Sequence, residues 1–167
     1  MTSTVKSTKK TSVKPVPAGY HTATPYMIVN NASKAMEFYK KAFGATEVLR
    51  MADHHGKVQH GEIRIGDSVI MLADERPEMG ARSPQSIGGS PVSIYLYVED
   101  VDAVVKQAVA AGAKLVRPVE DQFYGDRSGG VEDPFGYSWY VATHKEDLTP
   151  EEISKRAPKP SGGCCGS

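Results

Sequence analysis

The chain has 167 residues, enough for one domain or two small fused modules around a real core. Its 20 basic and 20 acidic side chains cancel, so no field that would favour nucleic acid or a membrane surface is implied, and no apolar run approaches the length of a bilayer-crossing helix. The opening residues lack the apolar stretch of a secretory signal, and the only cysteines are Cys164 and Cys165; a disulfide framework is excluded and a cytoplasmic home is expected.

Residues 1–19, MTSTVKSTKKTSVKPVPAG, are rich in Thr, Ser, Lys and Pro without apolar period and are expected to form a disordered tail. A first module is expected over 20–75. It opens with the apolar strand Tyr26–Val29, then Asn31 as a helix N-cap. Ala32, Ala35, Met36, Tyr39, Ala42 and Phe43 recur at helical spacing, and Gly44-Ala45 closes that helix. Three strands should follow, over 47–52, 58–65 and 68–73, with Gly66-Asp67 as a two-residue hairpin turn. Residues 76–90 are rich in Pro, Gly and Ser and read as a linker or flap.

The second half, over 91–147, repeats the first. A strand over 94–98 precedes Asp100 as N-cap, and Val101, Val104, Val105, Ala108 and Ala111 form the matching helical stripe before Gly112-Ala113. Strands over 114–118, 128–132 and 137–143 complete it, with Asp133-Pro-Phe-Gly136 as the last turn. A short C-terminal helix is expected over 148–156 and a second disordered tail over 157–167, in which the adjacent cysteines are given no role. Each half therefore reads β-α-β-β-β, and the fold class is α+β.

One stretch carries more than packing. In HGEIRIG, His60, Glu62 and Arg64 fall on one face of the strand, and Gly61, Ile63 and Ile65 on the other. A single helix per module can cover only one sheet face, so the three titratable groups must look away from it, toward water, a partner or a ligand.

The segments PYMIVNNASKAMEFYKKAFGA, HGEIRIGDSVIMLADE and QFYGDRSGGVEDPFGYSWYVATH, set in a tandem β-α-β-β-β pattern, resemble the vicinal oxygen chelate superfamily. That group includes glyoxalase I, bleomycin-resistance proteins and extradiol dioxygenases. The likeness spans residues 24–144 and is nearest to the glyoxalase-like branch related to the phosphonate-operon protein. It implies two tandem βαβββ modules whose mixed sheets curl around a shared cavity, and a homodimer. Metal-using relatives place ligands on the first and fourth strand of each module; the matching positions here are Thr24, Met71, Ser93 and Tyr140, none a good ligand for a divalent first-row metal. The usual metal site is therefore expected to be absent, and no cofactor is expected.

The resemblance directs the polar face into the cavity. Its expected ligand-binding residues are His60, Glu62, Arg64, Tyr95, Tyr97, Tyr124, Tyr140, Thr24 and Ser93, with Tyr26 and Met71 beside them. Phe123 and Tyr124 would overhang the rim, with Asp126 and Arg127 paired there. His54-His55 reads as a solvated turn and His144 as a strand end. No catalytic residue is assigned. The expected function is binding of a small molecule without the usual metal. Two alternatives stay open: a divergent metal-dependent lyase, isomerase or dioxygenase with relocated ligands including His60 and Glu62, and a polar face that is only a dimer interface.

Overall fold

The structure is a computed structural model and describes residues 13–158. The parts of the two expected tails over 1–12 and 159–167, with Cys164 and Cys165, lie outside the described residues. The first module comprises β1 (Tyr26–Val29), α1 (Ala32–Phe43), β2 (Thr46–Ala52), β3 (Val58–Ile65) and β4 (Ser68–Asp74). After a short 3-10 turn at Pro77–Met79 and α2 (Pro84–Ile87) comes the second: β5 (Ser93–Tyr97), α3 (Val101–Ala111), β6 (Lys114–Asp121), β7 (Asp126–Glu132) and β8 (Ser138–His144). A final helix, α4, spans Pro150–Arg156. The strand orders are β1-β4-β3-β2 and β5-β8-β7-β6, each with one parallel pair (β1/β4, β5/β8) among antiparallel ones.

Local chemistry sets both helices in the same way. Asn31 accepts from the Lys34 amide at 2.9 Å, and Asp100 from the Ala103 amide at 3.0 Å. At the far ends the chain leaves the helix through Gly44 and Gly112, at φ 65 and 117, where a side chain would be strained. The fourth strand of each module also holds its helix: the Ala32 amide donates to Asp74 and the Val101 amide to Thr143. Buried Asp74 takes the Val58 amide as well, at 2.6 Å.

The helices α1 and α3 pack on one another, and one core runs through them from sheet to sheet. Ile63 and Leu72 enter it from the first sheet, Val131, Trp139 and Val141 from the second. Trp139 is fully buried, with its ring centroid 4.5 Å from that of Phe43 and 5.2 Å from that of Tyr39, both on α1. Beneath it Asp133 accepts four hydrogen bonds: from the Tyr39 hydroxyl at 2.7 Å, and from Trp139 Nε1 and the Phe135 and Tyr137 amides at 2.9 Å. A buried carboxylate survives only with such partners. Tyr137 adds a second tie between modules, donating to the Ile28 carbonyl and accepting its amide.

The stretch after β4 is anchored at several points. Glu75 accepts from the Ser83 amide and the Ser86 hydroxyl, and Gln85 donates to the Pro134 carbonyl at 3.0 Å. Two strands of the second module are longer than their sequence suggests. β6 continues through Pro118 to Asp121, which an edge strand tolerates because it leaves amides unpaired. β7 begins at Asp126, because β8 extends to His144 and the two residues pair. Among the described residues no helix is long and apolar enough to cross a membrane.

With the helices inside, each sheet turns its other face outward. No strand of one sheet pairs with a strand of the other. Among the described residues no hydrogen bond or ring contact joins His60, Glu62 or Arg64 to Tyr95, Tyr97 or Tyr140.

Replacing Asp133 by Ala should lower the unfolding free energy by at least about 3 kcal/mol, because four donors lose their acceptor. Gln85→Ala should stay within about 0.5 kcal/mol. Urea denaturation followed by circular dichroism measures both, and an Asp133→Ala loss as small as that of Gln85→Ala would deny the network its role. At Gly129 an added Cβ would lie 2.7 Å from Val119 Cγ2 and 3.3 Å from the Arg117 carbonyl oxygen. Gly129→Ala should therefore cost about 1–3 kcal/mol, with Val119→Ala in the same chain restoring part of it.

Candidate functional site

On the outward face of the first sheet, Glu62 stands in mid-β3, only 6% exposed although no helix covers it. The Tyr20 hydroxyl donates to one of its oxygens, and His60 Nε2 lies 2.9 Å from the other. The remaining imidazole nitrogen, Nδ1, is 3.3 Å from the Tyr26 hydroxyl, with the two rings 5.8 Å apart. Tyr20, Glu62, His60 and Tyr26 thus form one hydrogen-bonded chain. It is consistent when His60 donates from Nε2 to the carboxylate and accepts at Nδ1 from Tyr26. The Tyr20 hydrogen bond, and after it that of His60, hold the Glu62 carboxyl below the usual carboxylate range. The same contact raises the Tyr20 phenol. Leu49 and Met51 stand opposite Glu62 and His60 on β2, and Met71 opposite Glu62 on β4, so apolar side chains frame the cluster.

Arg64 shares this face but points elsewhere. Its guanidinium donates to the Gly19 carbonyl at 3.0 Å and to that of Asp67 at 3.3 Å. Thr24 lies just ahead of β1 with its hydroxyl on the His21 carbonyl at 3.3 Å.

The outward face of the second sheet is aromatic. Tyr95 has its ring centroid 5.1 Å from that of Tyr97 and 6.2 Å from that of Tyr140, and all three are exposed. Beside them Asp126 is 5% exposed and accepts from Tyr97 at 3.0 Å, from Tyr95 at 3.4 Å and from His144 Nδ1 at 2.8 Å. His144 Nε2 reaches Asp147 at 3.0 Å. Burial, then the Tyr124 hydroxyl, push the Tyr95 phenol well up. Tyr124 itself stands 3.4 Å from the Ser128 hydroxyl, and Ser93 is exposed at the start of β5.

The structure therefore gathers the expected residues into two sets, His60 with Glu62 on one sheet and Tyr95, Tyr97 and Tyr140 on the other. Three members of these clusters carried no such sequence signal: Tyr20, Asp126 as a buried acceptor, and His144 as more than a strand end. The expected pairing of Asp126 with Arg127 is not found. Neighbouring strand residues point to opposite faces, and Arg127 instead pairs with Asp102 at 2.7 Å and Asp121 at 3.1 Å. Between the modules a cleft of about 790 Å³ opens over Phe43, Ile70, Leu96 and Trp139, with Asp67 and Glu99 at its rim.

At the positions where the resemblance implies metal ligands, the side chains are of another kind. Thr24, Met71, Ser93 and Tyr140 supply three hydroxyls and a thioether, a poor set for a divalent metal. Among the described residues no three His, Cys, Asp or Glu side chains are placed so that they could hold a metal ion. The residues present do not fit the usual metal.

Hydrogen bonds from Asp126 first, then Asp147, raise the His144 pKa above its ordinary 6.5. A raised folded value means the imidazolium stabilises the fold below pH 6.5 and ceases to do so as pH rises through that value. Titration of His144 followed by proton NMR should give a midpoint above 6.5 that drops in Asp147→Asn; an unchanged midpoint would contradict the bridge.

Three likenesses bear on what kind of protein this is. The uncharacterized protein Rv0887c of Mycobacterium tuberculosis is 43% identical over 133 residues, 78% of this chain and 78% of the relative. The solved structure of the Arabidopsis thaliana product At5g48480 shares 31% identity and a TM-score of 0.59, over 73% of this chain and 98% of that one. The PhnB protein from Bacillus cereus has the same fold, at 19% identity and a TM-score of 0.57 over 74% of this chain and 99% of that one. Residues 20–141 match the family model described as Glyoxalase/Bleomycin resistance protein/Dioxygenase superfamily. The chain belongs to that superfamily.

Proposed function

We propose that this protein binds a small organic molecule without the superfamily's usual metal, in a cavity completed when two copies bring the outward face of one chain's first sheet against the outward face of the other's second sheet. The observation that carries the reading is Glu62: a carboxylate 6% exposed on a face no helix covers, held ionised by its own small network. Such a group is costly to bury, and beyond tethering Tyr20 it gives the fold nothing that an apolar residue would not. A site for a polar ligand explains it. The tyrosine face supplies the wall on which a planar or cationic group stacks. His60, Glu62 and the tyrosines are the contacts, and Arg64, Thr24, Ser93 and Tyr124 border them.

Homodimer formation is part of the proposal because Tyr26, Leu49, Met51, Tyr95 and Tyr97 all remain exposed on these faces. A cytoplasmic location suits a sequence with only two, adjacent, cysteines.

A thermal-shift screen of antibiotics, α-ketoacids and glutathione adducts tests the reading. A ligand at a hundred times its Kd stabilises by about 2.7 kcal/mol, which should raise Tm by roughly 5–10 °C. Glu62→Ala and Tyr95→Ala should each weaken binding of a compound so found at least about tenfold while light scattering still shows a dimer. A silent screen, or tightly held stoichiometric nickel, zinc or iron in the purified protein, would overturn the proposal, the latter in favour of a metal-dependent enzyme using His60 and Glu62.

A further inference from the structure

The segment ahead of β1 lies across the site. Residues 13–25 form neither helix nor strand, and they are exposed except for Tyr20 and Thr24, which are half-buried. A turn closed by the Tyr20 amide on the Pro17 carbonyl, at 3.2 Å, aims Tyr20 at Glu62. Gly19 makes the turn possible: its φ is 82, and a Cβ there would stand 3.1 Å from Arg64 Nη2. Arg64 holds the Gly19 carbonyl, and His21 lies 3.6 Å from Asp67. Both partners of the last contact are exposed, so it adds little. The strap is thus held chiefly by one phenol on one carboxylate and one guanidinium on one carbonyl. A segment with so few buried contacts opens cheaply.

We infer that Tyr20 is a stand-in for the ligand: the Glu62 site takes a small molecule that presents a neutral hydroxyl, phenolic above all, and the strap over residues 17–21 gives way to admit it. The inference rests on the small-molecule reading and names the class of ligand. Glu62 offers only acceptor atoms, so whatever replaces Tyr20 must donate a hydrogen; a carboxylate or phosphonate would meet like charge. With Tyr20 withdrawn, the carboxylate would keep only His60, and a buried carboxylate short of donors favours any hydroxyl that reaches it. Leu49, Met51 and Met71 around it suit the apolar body of an aromatic ring better than a sugar or polyol. Arg64, bound to the strap rather than to Glu62, leaves the carboxylate free for this exchange.

The test uses 4-methylphenol, the Tyr20 side chain in miniature, with 4-methylanisole as the same shape lacking the donor. Calorimetric titration of the full chain and of Tyr20→Gly should show the phenol bound at least about tenfold more tightly by the variant. Adding Glu62→Gln to Tyr20→Gly should abolish that gain, and the anisole should gain less than about threefold. Tyr20→Phe, which keeps the ring, guards against an unfolded glycine variant and should bind the phenol more tightly than the parent but less tightly than Tyr20→Gly. An equal gain for the anisole, or no gain in either Tyr20 variant, would overturn the stand-in while leaving the broader reading to its own screen.

Discussion

Each four-stranded sheet here has one helix, and a sheet has two faces. That constraint decides the architecture. Both helices are spent in a single central layer, where α1 and α3 pack together and Trp139, Phe43 and Tyr39 interlock. One core then serves two modules, each of which alone would bury only a marginal apolar surface. Asp133 makes the arrangement specific, because its four donors come from both modules and permit only one seating of α1 on the second sheet. Apolar packing would tolerate a small slide of one helix over the other; a buried carboxylate with fixed donors would not.

The cost of this economy is two sheet faces without cover, and the chain has treated them differently. The first carries an ionised group shielded by the chain's own strap, with apolar side chains around it. The second carries exposed rings backed by a carboxylate already engaged by Tyr97, Tyr95 and His144. One face therefore offers acceptor atoms, the other π surface. The two faces thus differ in chemistry, and the proposed site would draw on both.

Much of the fold was legible because its signals are local. Asn31, Gly44, Asp100 and Gly112 announce both helices within a few residues, and Gly66-Asp67 fixes the β3–β4 hairpin. The alternation through His60, Glu62 and Arg64 gave the correct face because Ile63 and Ile65 had to reach the core. What escaped depends on distance along the chain. Tyr20 sits among prolines in a stretch without period and meets Glu62 across 42 residues. Asp126 and His144 meet only because β7 and β8 pair two residues further than propensity suggests. β6 crosses Pro118 only because its outer edge needs no partner. Arg64 was placed on the right face but not with its partner, since a long side chain can reach along a strand to a carbonyl that no pattern reveals.

The altered metal positions belong to the same logic. Met71 pairs directly with Tyr26, and Tyr140 with Tyr95, across parallel strands. At two of the four positions where the resemblance implies a metal ligand, this chain therefore sets a thioether or a ring beside a tyrosine. A divalent cation would have to give up water there and receive little in return. An aromatic molecule would instead gain ring contacts on one face while the nearest strong acceptor, Glu62, waits one strand away from Met71. In the proposed site the two features go together: where a metal would polarise a ligand through a cation, this arrangement would orient one through a hydrogen bond to Glu62.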